Sequence, residues 1–191
     1  MLNKIKKKIS KLFSLPAKLL AVMGFAPNLL TFLGLLFAII SGFFYYFKYI
    51  FYAGILILIS GLLDALDGAV ARESGRVTVF GGFFDSVADR YSDAIILTSI
   101  ILSGLCDVFW GILAIIGCFL VSYCRARGEA AGVKKMSVGI AERPERLILL
   151  SFATFLEMFF NGAIYYAVIV LVALSHLTVA QRIHYVWKRL K

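Results

Sequence analysis

Two stretches decide the fold: residues 50–72, IFYAGILILISGLLDALDGAVAR, and residues 80–104, FGGFFDSVADRYSDAIILTSIILSG. Each is long and apolar enough to span a bilayer, which takes about 20 mostly apolar residues. Together they carry five of the chain's six aspartates. An Asp in a spanning helix costs about 2.5–3.5 kcal/mol at mid-bilayer on insertion scales, and less toward the interface, so acids in such segments point to function. Asp64 and Asp67, at i and i+3, share one helical face near the end of the first stretch. Asp85, Asp89 and Asp93, at i, i+4 and i+8, share a face near the start of the second. The loop between the stretches is short, so two antiparallel neighbouring helices are expected to bring both acidic faces to the same depth.

The rest of the 191-residue chain extends this pattern. Hydrophobic residues make up 61% and charged residues 16%, and the mean hydropathy of +0.91 lies outside the soluble range. Six spans are expected, at about 27–47, 50–72, 80–104, 108–130, 145–160 and 163–186. The fifth is short, with room to extend into the loop before it. Pro27 and Pro144 stand where helices begin, a position that suits proline, and Glu142 is a candidate cap. In residues 1–25, Leu2, Ile5, Ile9, Leu12, Phe13 and Leu15 recur at helical spacing with lysines mainly opposite. That pattern suits a helix lying in the headgroup plane, broken or kinked at Pro16. The expected fold class is an all-α integral membrane protein: an N-terminal amphipathic interfacial helix (1–25), then a domain of six transmembrane helices (26–191).

The formal charge of +9 is explained mainly by topology. Basic residues gather before the first span, after the second, after the fourth and at the end. The other loops hold almost none, so the positive-inside rule puts both termini and the acidic cluster on the cytoplasmic side of a multi-pass cell-membrane protein. Nucleic acid is not an expected partner. Cys106, Cys118 and Cys124 have no metal-binding spacing and read as small packing residues. The N-terminus, its apolar positions interleaved with lysine, does not read as a cleavable signal.

Four packed carboxylates repel one another in a low-dielectric site unless protonated or neutralised, and two divalent ions balance four negative charges. The ligands are hard oxygens, which favours Mg²⁺ or Mn²⁺ over Zn²⁺, with Ca²⁺ also compatible. Two adjacent metals suit in-line displacement at phosphorus. Simple ion pairing with Arg72, Arg76 and Arg90 is the competing reading, but the carboxylates outnumber suitable partners. A Mg²⁺ transporter or channel would line a path with acids, whereas these cluster near one face.

The spacing Asp64-x-x-Asp67-Gly68-x-x-Ala71-Arg72, then eight residues, then Gly81-x-x-x-Asp85-x-x-x-Asp89 resembles the motif of the CDP-alcohol phosphotransferase family. Eight positions match over 26 residues, and the six spans, the basic N-terminal helix and Pro27-Asn28-x-x-Thr31 are similar as well. The resemblance implies that Asp64, Asp67 and Asp85 bind metal, and that Asp89 touches the second metal and is the catalytic base. It assigns Asn28, Thr31, Gly68, Ala71, Arg72 and Thr78 to the CDP-lipid, with Gly68 and Ala71 leaving room for a flat cytosine. It also implies a homodimer.

On the acceptor side, Arg125, Arg127, Lys135, Arg143, Arg146 and Arg182 are candidates for a phosphate pocket, since arginine clusters suit a phosphate dianion. The segment Glu142-Arg143-Pro144-Glu145-Arg146 resembles the branch that uses inositol 1-phosphate to make phosphatidylinositol phosphate or its archaeal ether counterpart. The implied partners are CDP-diacylglycerol or CDP-archaeol, inositol 1-phosphate and membrane lipids. Glycerol 3-phosphate or serine as acceptor is the alternative within the same reaction class.

Overall fold

The computed structural model describes residues 14–133, 136 and 138–190. These residues form helices α1 (residues 14–22), α2 (Pro27–Tyr46), α3 (Ile50–Glu73), α4 (Val79–Leu102), α5 (Val108–Ala130), α6 (Arg143–Leu156) and α7 (Ala163–Leu190). The order follows the six apolar stretches, and α2 and α6 carry proline in their first turns as expected. Glu142 sits at the N-cap of α6, but its side chain makes no capping hydrogen bond.

Among the described residues four helices, α2, α3, α5 and α7, are long and apolar enough to cross a membrane. Helix α4 matches α3 in length but carries Asp85, Asp89, Arg90 and Asp93. With 14 residues, α6 is about 21 Å long, against a hydrocarbon core of about 30 Å. It ends earlier than expected because the chain turns at residues 157–162. There the Glu157 carboxylate accepts from the amides of Gly162 (2.8 Å) and Ile164 (2.7 Å), which satisfies donors at the start of α7.

The packed pairs close into a ring: α2 on α3, α3 on α6, α6 on α7, α7 on α5, α5 on α4, and α4 on α2. Buried side chains from all six helices meet inside it, among them Tyr45, Ile57, Ile96, Ile100, Leu147 and Leu171. Lipid tails are as apolar as these residues, so close packing and inter-helix hydrogen bonds carry much of the association. Ser60 donates to the Gly34 carbonyl (2.8 Å) and Ser41 to the Ala53 carbonyl (2.9 Å), joining α2 to α3. Tyr45 and Thr154 pair their hydroxyls between α2 and α6. At Gly42 a Cβ would stand 2.8 Å from both Ile95 Cγ2 and Ser99 Oγ, so glycine permits the close approach of α2 to α4.

Helix α3 and helix α4 do not pack closely on each other, contrary to expectation; α2 packs along both. Helix α1 docks at the same end, where the fully buried Ala17 meets Leu30, Leu66, Ala69 and Val70. Pro16 lies in the first turn of the described part of α1, and the preceding turn, where a break or kink would fall, lies outside the described residues. Docking through Ala17 supplies tertiary support that the local backbone does not need to provide. Leu15, Leu19 and Val22 face outward. The lysine-rich part of the expected interfacial helix, residues 1–13, lies outside the described residues.

Candidate active site

The last turns of α3 and the first turns of α4 each present acids toward the gap between them. One carboxylate oxygen from each of Asp64, Asp67 and Asp85 lies within 4.8 Å of the others. The buried Asp67 accepts a hydrogen bond from Thr31 Oγ1 at 2.5 Å, which fixes its rotamer from α2. Thr78 caps α4 by accepting from the Gly81 amide at 2.9 Å. A Cβ at Gly81 would lie 3.0 Å from that hydroxyl and 3.1 Å from Asn28 Oδ1, so three of the motif positions crowd one corner.

Asp89, the expected fourth ligand, stands beside Asp64 but faces a cation. Arg143 Nη1 is 2.8 Å from Asp89 Oδ1 and 2.6 Å from Asp64 Oδ1, and its Nε is 3.7 Å from Asp93 Oδ1. Arg146 donates to Asp93 Oδ2 at 2.8 Å, and Arg90 lies 3.4 Å from Asp89 Oδ2. Of the cations expected as ion-pair partners, Arg90 alone pairs with an acid among the described residues; the principal partner arrives from α6. Five carboxylates thus meet two buried guanidinium groups and one partly exposed one. The surplus of negative charge and the all-oxygen donor set fit hard divalent cations.

Two cavities meet at these acids. The first, about 280 Å³, is lined by Asn28, Thr31, Gly68, Ala71, Arg72 and Thr78, all six positions expected to hold the CDP-lipid, together with Asp67 and Asp85. The second, about 370 Å³, is lined by Asp64, Asp67, Asp85 and Asp89 on one side and by Arg125, Glu142, Arg143, Arg146 and Arg182 on the other. Asp67, Gly68, Arg72 and Asp85 belong to both walls.

The expected phosphate-binding set is only partly assembled. Arg125 reaches the second cavity while paired with Glu129 at 3.1 Å. Arg127 is exposed and absent from the lining, because the α5 turn carries it to another face. Lys135 lies outside the described residues. Arg182 is 2% exposed and donates to the carbonyls of Val121 (2.5 Å) and Val138 (2.8 Å), so part of its donor capacity holds the loop before α6. Asp93 and Glu142 were not expected in the site. Asp93 had a signal, its place on the Asp85 and Asp89 face; Glu142 had only its place beside Arg143 in the run Glu142 to Arg146.

The description "CDP-alcohol phosphatidyltransferase" belongs to a family model that matches residues 25–180. The chain belongs to the CDP-alcohol phosphatidyltransferase family. Among its relatives is the archaetidylinositol phosphate synthase of Pyrococcus horikoshii, 42% identical over 193 residues that cover 100% of this chain and 99% of that protein. The synthase of the same name from Methanothermobacter thermautotrophicus is 48% identical over 140 residues, covering 71% of this chain and 70% of that one. A crystal structure of Mycobacterium tuberculosis phosphatidylinositol phosphate synthase with CDP-DAG bound superposes with a TM-score of 0.81 at 28% identity, over 93% of this chain and 94% of that one. The same enzyme has been solved with manganese and citrate. This CDP-alcohol phosphatidyltransferase is therefore a multi-pass membrane enzyme of phospholipid synthesis, and its Asp64, Asp67 and Asp85 oxygens suit a divalent metal cofactor.

Proposed function

We propose that the chain transfers a phosphatidyl-type group, archaeol phosphate or diacylglycerol phosphate, from a CDP-lipid to a hydroxyl of inositol 1-phosphate, releasing CMP. The observation that carries this reading is the shared wall of the two cavities. A chamber with a small-residue floor at Gly68 and Ala71 and an arginine-walled chamber meet at the same carboxylates. The relatives named archaetidylinositol phosphate synthases favour an archaeol lipid.

In this reading the cytosine lies against Gly68 and Ala71, while Asn28, Arg72 and Thr78 contact the nucleotide and diphosphate. Asp64, Asp67, Asp85 and Asp89 would hold two divalent cations, which supply charge neutralisation for the diphosphate and the departing CMP. The acceptor sits in the second chamber, its phosphate near Arg125, Arg143, Arg146 and Arg182. Its hydroxyl oxygen bonds to the lipid-side phosphorus as the phosphoanhydride P–O bond breaks, and CMP leaves with the electron pair. Asp89 takes the hydroxyl proton; its placement at the junction matters more than its basicity.

Six spans with the site toward the cytoplasm complete the proposal. Support comes from the basic residues flanking α3, α5 and α7 at one end, and from α1, whose outward Leu15, Leu19 and Val22 suit an interfacial helix. The test is turnover of labelled CDP-archaeol and CDP-diacylglycerol by purified protein with Mg²⁺, against inositol 1-phosphate, inositol, glycerol 3-phosphate and serine. Preference for any acceptor other than inositol 1-phosphate would overturn the acceptor assignment.

A further inference from the structure

Of three arginines on one side of the larger cavity, Arg146 and Arg182 are buried and Arg143 is nearly so, and they are held in different ways. Arg182 and Arg146 are anchored to backbone: Arg182 donates to the Val121 and Val138 carbonyls, and Arg146 to the Cys118 carbonyl at 3.3 Å as well as to Asp93. Carbonyl acceptors fix a guanidinium in direction as well as in place. Arg143 has no such anchor among the described residues. Its Nε and Nη1 are buried and lack any partner in hydrogen-bond geometry, although Asp64, Asp89 and Asp93 all lie within ion-pair distance.

Arg143 is also the first residue of α6, where the helix dipole disfavours a cation. Its attraction to the acids outweighs that effect. The guanidinium is therefore held by charge, and by oxygens of Asp64 and Asp89 that a divalent ion would also take. Dication and guanidinium repel each other at such short range. Arg143 borders the larger cavity, so a route away from the acids leads toward the acceptor chamber.

Building on the assignment of Asp64 and Asp89 as metal ligands, we propose that Arg143 is an exchangeable counter-ion. It neutralises the acids until divalent cations load, and loading turns it into the acceptor chamber, where it meets the phosphate. One side chain thereby couples metal occupancy to phosphate affinity, and linkage makes that coupling reciprocal.

The test uses the purified full chain in lipid nanodiscs without nucleotide, with Mn²⁺ binding followed by electron paramagnetic resonance. Arg143→Gln is expected to bind Mn²⁺ about tenfold more tightly than wild type, within the range usual for coupled sites. Inorganic phosphate, after correction for its own complex with Mn²⁺, is expected to tighten Mn²⁺ binding in wild type and to lose that effect in Arg143→Gln. Equal or weaker Mn²⁺ binding by a variant with wild-type melting temperature overturns the proposal, as does phosphate coupling that survives the substitution. Should Arg143→Gln fail to fold, the wild type and Arg143→Lys decide: no phosphate effect in wild type, or one undiminished by the shorter lysine, overturns it. Failure of wild type to bind Mn²⁺ sinks the metal assignment, and failure to use inositol 1-phosphate sinks only the acceptor assignment.

Discussion

The Thr31 hydroxyl donates to Asp67 Oδ2 at 2.5 Å, so a helix that contributes no acid to the cluster orients one of its central carboxylates. The same hydroxyl lies 3.3 Å from the Pro27 carbonyl, which keeps it close to its own helix. Outer-shell partners of this kind typically tune metal affinity by about 10- to 100-fold. Thr31→Val keeps the shape and removes the donor, and is expected to weaken Mn²⁺ binding by about tenfold. Thr31→Ser should restore most of it. Titration of both variants with Mn²⁺ in the absence of substrate checks this.

Asp89→Asn is expected to stop transfer, lowering kcat by at least about 10²–10⁴-fold, the usual weight of a positioned general base. CDP-lipid binding should stay largely intact, since Asp89 lines the second cavity, proposed for the acceptor, and not the first. Labelled CDP-lipid binding and CMP release measure the two separately. CMP release at the wild-type rate would remove Asp89 from its role.

Ala71→Leu fills the first cavity, proposed for the nucleotide, from its α3 wall. Overpacking of this kind costs about 1–3 kcal/mol, so KM for the CDP-lipid should rise by roughly tenfold to a hundredfold. KM for the acceptor should move far less, because Ala71 does not line the second cavity. Steady-state kinetics with each substrate varied in turn gives the comparison.

Gly42→Val pushes side-chain atoms into Ile95 and Ser99 at the crossing of α2 and α4. A loss of about 1–3 kcal/mol of stability is expected. Unfolding in mixed micelles measures it, with Gly104→Ala unsuitable as a control because Gly104 has φ +73°.

Complete chelation is expected to abolish turnover, and Mg²⁺ or Mn²⁺ to restore it. Protein that keeps working in excess chelator would remove the metal from the chemistry. Retained CMP release under those conditions is the outcome to look for.

The carboxylates were legible in the sequence because their partners are local: Asp64 and Asp67 share a face by spacing alone, as do Asp85 and Asp89. The wall of the first cavity was named in advance through the family resemblance, which singled out Gly68, Ala71 and Arg72 on α3. What sequence spacing could not convey was direction across the fold. Arg143 lies more than 50 residues from Asp89 and reaches it only because the segment before α6, tied to α7 through Arg182 and Thr178, returns to the acids. The run Glu142 to Arg146 therefore read as a cationic patch for a phosphate, without revealing that Arg143 faces inward. The early end of α6 was hidden for a similar reason, because Glu157 acts on the start of the next helix.

Helix α2 packs on both α3 and α4, touching one across Gly34 and the other across Gly42. Its girth therefore acts as a spacer that sets how far apart the two acid-bearing rows stand. With the proposed cations between those rows, discrimination between ions of different radius is expected to depend in part on the bulk of residues that never coordinate anything, a handle well away from the carboxylates themselves.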